Sequence, residues 1–200
     1  EVSQLEADND VQIIAGATIT QAGNGTITAQ TLRTSSGGQQ ILDGANQIAS
    51  FAATNTGGGS IKLRNMSALS ITGITQEAGG DVNITNAGHL QISGTVSTAD
   101  QVELNVAGRI VEGAAGKVHA ERLATSSVGG QVLLGDNRLG SFQASNQGDD
   151  IELGNNGHDL EVISINQADG GDIELTNVGD VAISGQISST AGDIGVAADG

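Results

Sequence analysis

The chain has no cysteine, no proline, no tryptophan and no tyrosine, and its 200 residues include only two phenylalanines and seven lysines plus arginines. Without cysteine there is no disulfide and no thiolate metal site, and nothing that could crosslink an exported chain before it crosses a membrane. Against 23 acidic residues the seven basic ones leave a formal net charge of −16. Nucleic acid and anionic membrane both require a basic footprint, so neither is expected as a partner. The charge reads as solubility and mutual repulsion of a long exposed surface. No apolar run approaches the roughly 20 residues of a helical membrane span. The first residues also lack the basic-plus-apolar pattern of an export signal, so any such signal is expected outside this segment.

What the chain has is itself, twice. Ile41-Leu42-Asp43-Gly44-Ala45-Asn46-Gln47-Ile48-Ala49-Ser50-Phe51 returns as Val132-Leu133-Leu134-Gly135-Asp136-Asn137-Arg138-Leu139-Gly140-Ser141-Phe142, 91 residues later. Gly79-Gly80-Asp81-Val82-Asn83-Ile84 returns at the same distance as Gly170-Gly171-Asp172-Ile173-Glu174-Leu175. Self-similarity at a fixed period is the signature of a modular or solenoid architecture.

A finer beat runs inside the repeat. Segments of alternating aliphatic and polar residues start at Val11, Leu32, Ile61, Val82 and Val102, then at Leu123, Ile151, Ile173 and Ile194. The intervals are 21, 29, 21 and 20 residues, then 21, 28, 22 and 21. Within one interval the pattern predicts three short strands, over Val82-Thr85, His89-Ile92 and Thr95-Thr98, separated by Asn-Ala-Gly and Ser-Gly corners. Three strands and three corners in about 20 residues describe one rung of a β-solenoid, stacked in parallel on the rung below at about 4.8 Å. Val82, Ile84, Leu90, Ile92 and Val96 are expected inward, continued by Val102, Leu104 and Val106. The 28- and 29-residue intervals are expected to widen a corner near Phe51 and Phe142. The long repeats fall at approximately 11–101 and 102–193 of one continuous solenoid.

The rival fold for a 91-residue period is a tandem immunoglobulin-like sandwich. Such domains lean on a buried Trp, a corner Tyr and large side chains that fill about 10 Å between sheets. With 37 % apolar residues and only 1 % aromatic ones, this chain suits the narrow interior of a solenoid. Because Ile194-Gly195-Val196-Ala197 reopens the rung seen at Val102-Glu103-Leu104-Asn105, the segment is expected to be a piece of a longer array.

Segments such as Ala45-Asn46-Gln47-Ile48-Ala49-Ser50-Phe51-Ala52-Ala53-Thr54-Asn55-Thr56-Gly57-Gly58 and Thr85-Asn86-Ala87-Gly88-His89-Leu90-Gln91-Ile92-Ser93-Gly94 resemble the degenerate rungs of filamentous-haemagglutinin-like exoproteins. These are secreted adhesins of two-partner secretion systems in Gram-negative bacteria. The resemblance is one of repeat style over essentially the whole chain. It implies a right-handed parallel β-helix that forms a shaft at or outside the cell surface. The family's secretion domain carries Asn-Pro motifs, which a chain without proline cannot contain, so neither secretion signal nor binding tip carries over.

Residues that could hold chemistry are few. His89, His119 and His158 have Asp180, Thr28 and Ser67 as repeat partners, so no histidine recurs, and all three read as surface residues. Asp8-Asn9-Asp10, Asp149-Asp150 and the Gly-Gly-Asp corners at Asp81 and Asp172 offer oxygen ligands of the kind calcium takes. The calcium nonapeptide Gly-Gly-x-Gly-x-Asp is absent, and turn capping is the better reading. Glycosidase carboxylates must converge across a cleft at about 5 to 9 Å, whereas Asp149 and Asp150 are chain neighbours. Arg33, Lys62, Arg64, Arg109, Lys117, Arg122 and Arg138 are scattered, and no aromatic platform for a polysaccharide exists. No Gly-x-Ser-x-Gly, Walker or His-Glu-x-x-His motif is present. Sequons stand at Asn24, Asn65 and Asn83. The recurrent pairs Asn46/Asn137, Asn55/Asn146 and Asn86/Asn177 are expected to bond backbone at corners or form ladders between rungs.

No catalytic, cofactor-binding or metal residue is therefore assigned, and no cofactor is expected. The resulting expectation is a non-enzymatic shaft of a secreted or surface adhesin of a Gram-negative bacterium. Its immediate partners are neighbouring repeats of the same polypeptide, with host-cell or matrix glycans or proteins engaged by other regions. The competing readings are a glycan- or filament-binding surface on the solenoid itself, and a polysaccharide-processing β-helix enzyme.

Overall fold

A computed structural model describes all residues, 1–200. Seventeen strands and no helix pair in parallel into one sheet that coils on itself as a β-solenoid of about nine turns. One turn shows the plan. Val82–Asn86, Leu90–Ile92 and Thr95–Ser97 form its three sides. They pair in register with Gln101–Val106, Ile110–Glu112 and the start of Lys117–Asn155 in the next turn.

Alternation within each strand sorts side chains between a dry interior and a wet exterior. Val82, Ile84, Leu90, Ile92, Val96, Val102, Leu104 and Val106 are all buried, while Thr85 between them is exposed. Thirty-seven buried apolar residues form one core running along the axis. Burying an aliphatic side chain of this kind contributes roughly 1.5–3 kcal/mol. Because each side chain packs mainly on its counterparts one turn above and below, stability is a sum of neighbouring-turn contacts. Parallel sheets in other folds have both faces covered. Here the outer face is mainly polar, with scattered exposed apolar residues such as Ile14 and Leu134, and the core is built from the inner one.

The Gly-Gly-Asp corners are built from backbone requirements. Gly79 and its repeat partner Gly170 both have φ of 80°, in the left-handed region open to glycine. The next glycine touches the turn below, since a Cβ on Gly80 would lie 2.4 Å from the Gly59 carbonyl oxygen. The carboxylates that follow cap backbone amides between turns. Asp150 Oδ1 accepts from Asp172 N and Asp172 Oδ1 from Asp193 N, both at 2.8 Å.

The widened rung does not exist. Leu32 is not stacked under Ile61 but under Phe51, and Phe51 under Ile71. Ile61 belongs to a different column, Ile19–Gln40–Ile61–Val82–Val102–Leu123. Paired residues along the chain stay between 19 apart (Thr28 and Gln47) and 22 apart (Thr95 and Lys117). The 29-residue interval arose because Gln40, fully buried inside the column, hides a rung start from any reading based on apolar alternation. Phe51 and Phe142 are ordinary core residues with no exposed surface.

The corrected pitch makes the long repeat non-integral. From Ile19 four stacking steps lead to Val102, and eight more residues reach Ile110, the repeat partner of Ile19. Ile110 stands in another column, Leu69–Leu90–Ile110–Gln131, on the neighbouring side of the same turn. Ninety-one residues thus make about four and one third turns, and each repeat is rotated by one side relative to the last.

Candidate functional site

The polar groups that the fold positions most firmly are inside it, at the corners. Asn65 has no exposed surface. Its Oδ1 accepts from Ile48 N at 2.8 Å, and its Nδ2 donates to the Ile48 carbonyl at 3.1 Å and to Asn86 Oδ1 at 3.0 Å. Asn155 repeats the arrangement with Leu139 N at 2.9 Å and Asn177 Oδ1 at 2.7 Å. A second corner stacks Asn146 on Gln167, with Nδ2 donating to Oε1 at 2.8 Å. The expected asparagine ladders are present, and each asparagine satisfies backbone groups that a corner would leave unpaired, whereas Gln167 Nε2 is buried without a partner.

Gln40 Oε1 accepts from Thr34 Oγ1 at 2.5 Å, while its Nε2 donates to Ser36 Oγ at 2.9 Å and to the Thr54 carbonyl at 2.8 Å. Gln131 makes the matching contacts with Thr125 Oγ1 at 2.5 Å and the Ser145 carbonyl at 3.0 Å. These glutamines, together with Asn65/Asn155 and Gln76/Gln167, escaped the pattern-based reading. The signal was their identity between the two copies, which apolar alternation ignores.

One corner differs chemically between copies. Gln21 Oε1 accepts from Gly44 N at 2.9 Å and from Asn46 Nδ2 at 3.2 Å, and its Nε2 donates to Asn46 Oδ1 at 2.7 Å. Its repeat partner is Glu112. Glu112 Oε2 accepts from Gly135 N at 2.6 Å and Asn137 Nδ2 at 3.0 Å, while Oε1 is buried with no partner. Desolvation raises the Glu112 pKa above its ordinary 4.5, and the bonds from Gly135 and Asn137 oppose that rise in part.

The histidines are not brought together. His89 is exposed, and its Nδ1 accepts from Arg109 N at 3.1 Å. His119 is half-buried within a strand, with Nε2 3.2 Å from the Asp136 carbonyl oxygen. His158 shares an open furrow of about 630 Å³ with Glu121, Arg138 and Asp159. Nowhere do three histidine or carboxylate groups gather as a metal-ligand set. Asp10 pairs with Arg33 at 3.8 Å, and Asp149 turns a corner with φ of 45°. Of the sequons, Asn65 is committed to the interior, whereas Asn24 is exposed and Asn83 half-buried.

On the outside, the same furrow occurs once in each copy. Residues Ala49, Ala68, Ser70, His89 and Gln91 line a furrow of about 470 Å³ that also includes Arg109. Their repeat partners Gly140, Asp159, Glu161, Asp180 and Ala182 line one of about 630 Å³. The first contains no carboxylate, and the second contains three. The repeat's rotation sets the two furrows on different sides of the solenoid.

No protein-family model, curated protein or solved structure matches the chain.

Proposed function

We propose that this segment is a non-enzymatic structural shaft of a secreted or surface-attached bacterial adhesin, extending regions that bind elsewhere in the polypeptide. The observation that carries the reading is the contrast between the inside and outside of the repeat. The core columns and all but one of the corner amides described are retained between copies, with Gln40/Gln131, Phe51/Phe142 and Asn65/Asn155 in equivalent places and Gln21/Glu112 the exception. The outer furrows keep their backbone shape and reverse their charge. Rotation by one side per repeat also points equivalent outer residues in different directions, so successive repeats cannot build one continuous recognition face. A spacer requires the first property and is indifferent to the second.

The adhesin setting rests on the resemblance of Ala45–Gly58 and Thr85–Gly94 to haemagglutinin-type rungs. A glycan array and a cell-binding assay on the isolated segment test it. A shaft leaves both blank, and removal of 91 residues from the parent protein shortens its reach by about 21 Å, at 4.8 Å per turn, without changing what it binds. Specific, saturable glycan binding by the segment would replace the shaft with a binding module.

A further inference from the structure

We propose that the two repeat-related outer furrows are complementary halves of a self-association contact, in which the Arg109–His89 furrow of one copy receives the Asp159–Glu161–Asp180 furrow of a second copy. Three observations on the first furrow support the pairing. In a chain with 23 acidic and seven basic residues, the first furrow is free of carboxylates and holds an arginine and a histidine. The Arg109 guanidinium has no ion pair within the chain, where the salt bridges are Arg33–Asp10 and Arg138–Asp136. Because His89 Nδ1 accepts the Arg109 amide, the neutral ring carries its proton on Nε2, leaving a donor for an incoming acceptor.

The second furrow supplies acceptors with the right spacing. Asp159, Glu161 and Asp180 are exposed, and none makes an ion pair within the chain. Asp159 and Asp180 are one turn apart, joined by the bond from Asp180 N to Asp159 Oδ1 at 3.2 Å. His89 and Arg109 are likewise one turn apart. Both pairs therefore repeat at the strand spacing of about 4.8 Å, and two donors meet two carboxylates whichever way the second molecule runs. Arginine and carboxylate groups form the strongest such contacts when water is displaced from between them. The small floor of Ala49 and Ala68 leaves room for the longer Glu161 side chain to enter.

Because the two furrows are different surfaces on different sides of the molecule, the contact is heterologous. Such contacts leave one unsatisfied half at each end and grow open chains. Overall repulsion between two chains of charge −16 opposes encounter at low salt. At about 0.15 M salt, screening over about 8 Å removes most of that repulsion and leaves charges in direct contact attracting.

Sedimentation equilibrium of the full chain at physiological salt tests this. The wild-type average mass should climb above the 19.9 kDa monomer with concentration and without a plateau. Arg109→Glu should be monomeric alone, as should the Asp159→Lys/Asp180→Lys variant. Mixed together, they pair through one unaltered contact and one with both charges reversed, so association should return and again grow without a plateau, which also shows both to be folded. The neutral variants Arg109→Gln and Asp159→Asn/Asp180→Asn, which also serve if a charge reversal unfolds its turn by circular dichroism, should each be monomeric alone and stop at a 1:1 dimer when mixed. A wild type that stays monomeric, variants that associate like it, or a mixture that fails to pair would overturn the proposal. So would a monomeric wild type that binds a polyuronate oligosaccharide through Arg109, which would assign the furrow to a carboxylated glycan.

Discussion

Glu112 occupies the place that Gln21 holds one repeat earlier, and the exchange of one NH2 for one oxygen alters a buried corner. Gln21 both accepts and donates there, whereas ionised Glu112 only accepts, leaving Oε1 buried and unpaired. A buried polar atom without a partner costs about 1–3 kcal/mol. Glu112→Gln should therefore stabilise the chain at pH 7 by about that amount. The sign with pH follows from the raised pKa. The folded state holds the Glu112 proton more tightly than the unfolded state, so its contribution is fully present below the ordinary carboxylate range near 4.5. It is lost as pH rises through the higher folded value. The difference between Glu112→Gln and wild type, measured by urea unfolding, should be large at neutral pH and shrink toward pH 4. A constant difference would show that ionisation is not the cause. This corner could not be read from the sequence. Glu112 and Gln21 look like surface polar residues, and only the winding of the chain shows that both point inward at a corner.

At the scale of a strand and its corners, most of the organisation was legible. The three-strand turn at 82–97 and the inward set from Val82 to Val106 follow from alternation alone, because a solenoid interior is strictly apolar along most of its strands. Where the interior admits an amide, as at Gln40 in the column between Ile19 and Ile61, the pattern breaks and the rung boundary was misplaced by one side. The corners make a further demand that composition only hints at. A Cβ on Gly94 would sit 2.0 Å from the Thr72 carbonyl oxygen of the turn below, whereas one on Gly23 would meet nothing within 4 Å. Gly94→Ala should push two turns apart and lower the thermal midpoint by several degrees, and Gly23→Ala should leave it nearly unchanged. Equal effects, read by circular dichroism melting, would mean that helical or strand propensity and not the close approach controls these positions.

For the molecule as a whole, the pitch decides what the repeat means. A 91-residue unit wound at 19 to 22 residues per turn advances about four and one third turns, so three such units would return the pattern to its starting side. Equivalent outer residues are thereby spread around the shaft, which is why two furrows of one backbone shape lie on separate sides with opposite charge. The alternative, with one widened rung per repeat, would stack both copies on the same sides. The two winding schemes make opposite assignments at one place. Continuous winding pairs Arg33 with Ala52, whereas a widened rung would place Arg33 beside Lys62. Paired outward positions on adjacent parallel strands are separated by about 4.8 Å, within the roughly 4.4–6.8 Å that a disulfide spans between Cα atoms. The chain has no cysteine of its own, so introduced pairs report without background. Under mild oxidation Arg33→Cys/Ala52→Cys should close to a disulfide quickly and completely in the folded protein, and Arg33→Cys/Lys62→Cys should stay reduced; the reverse result would contradict the continuous winding on which the rotated repeat depends.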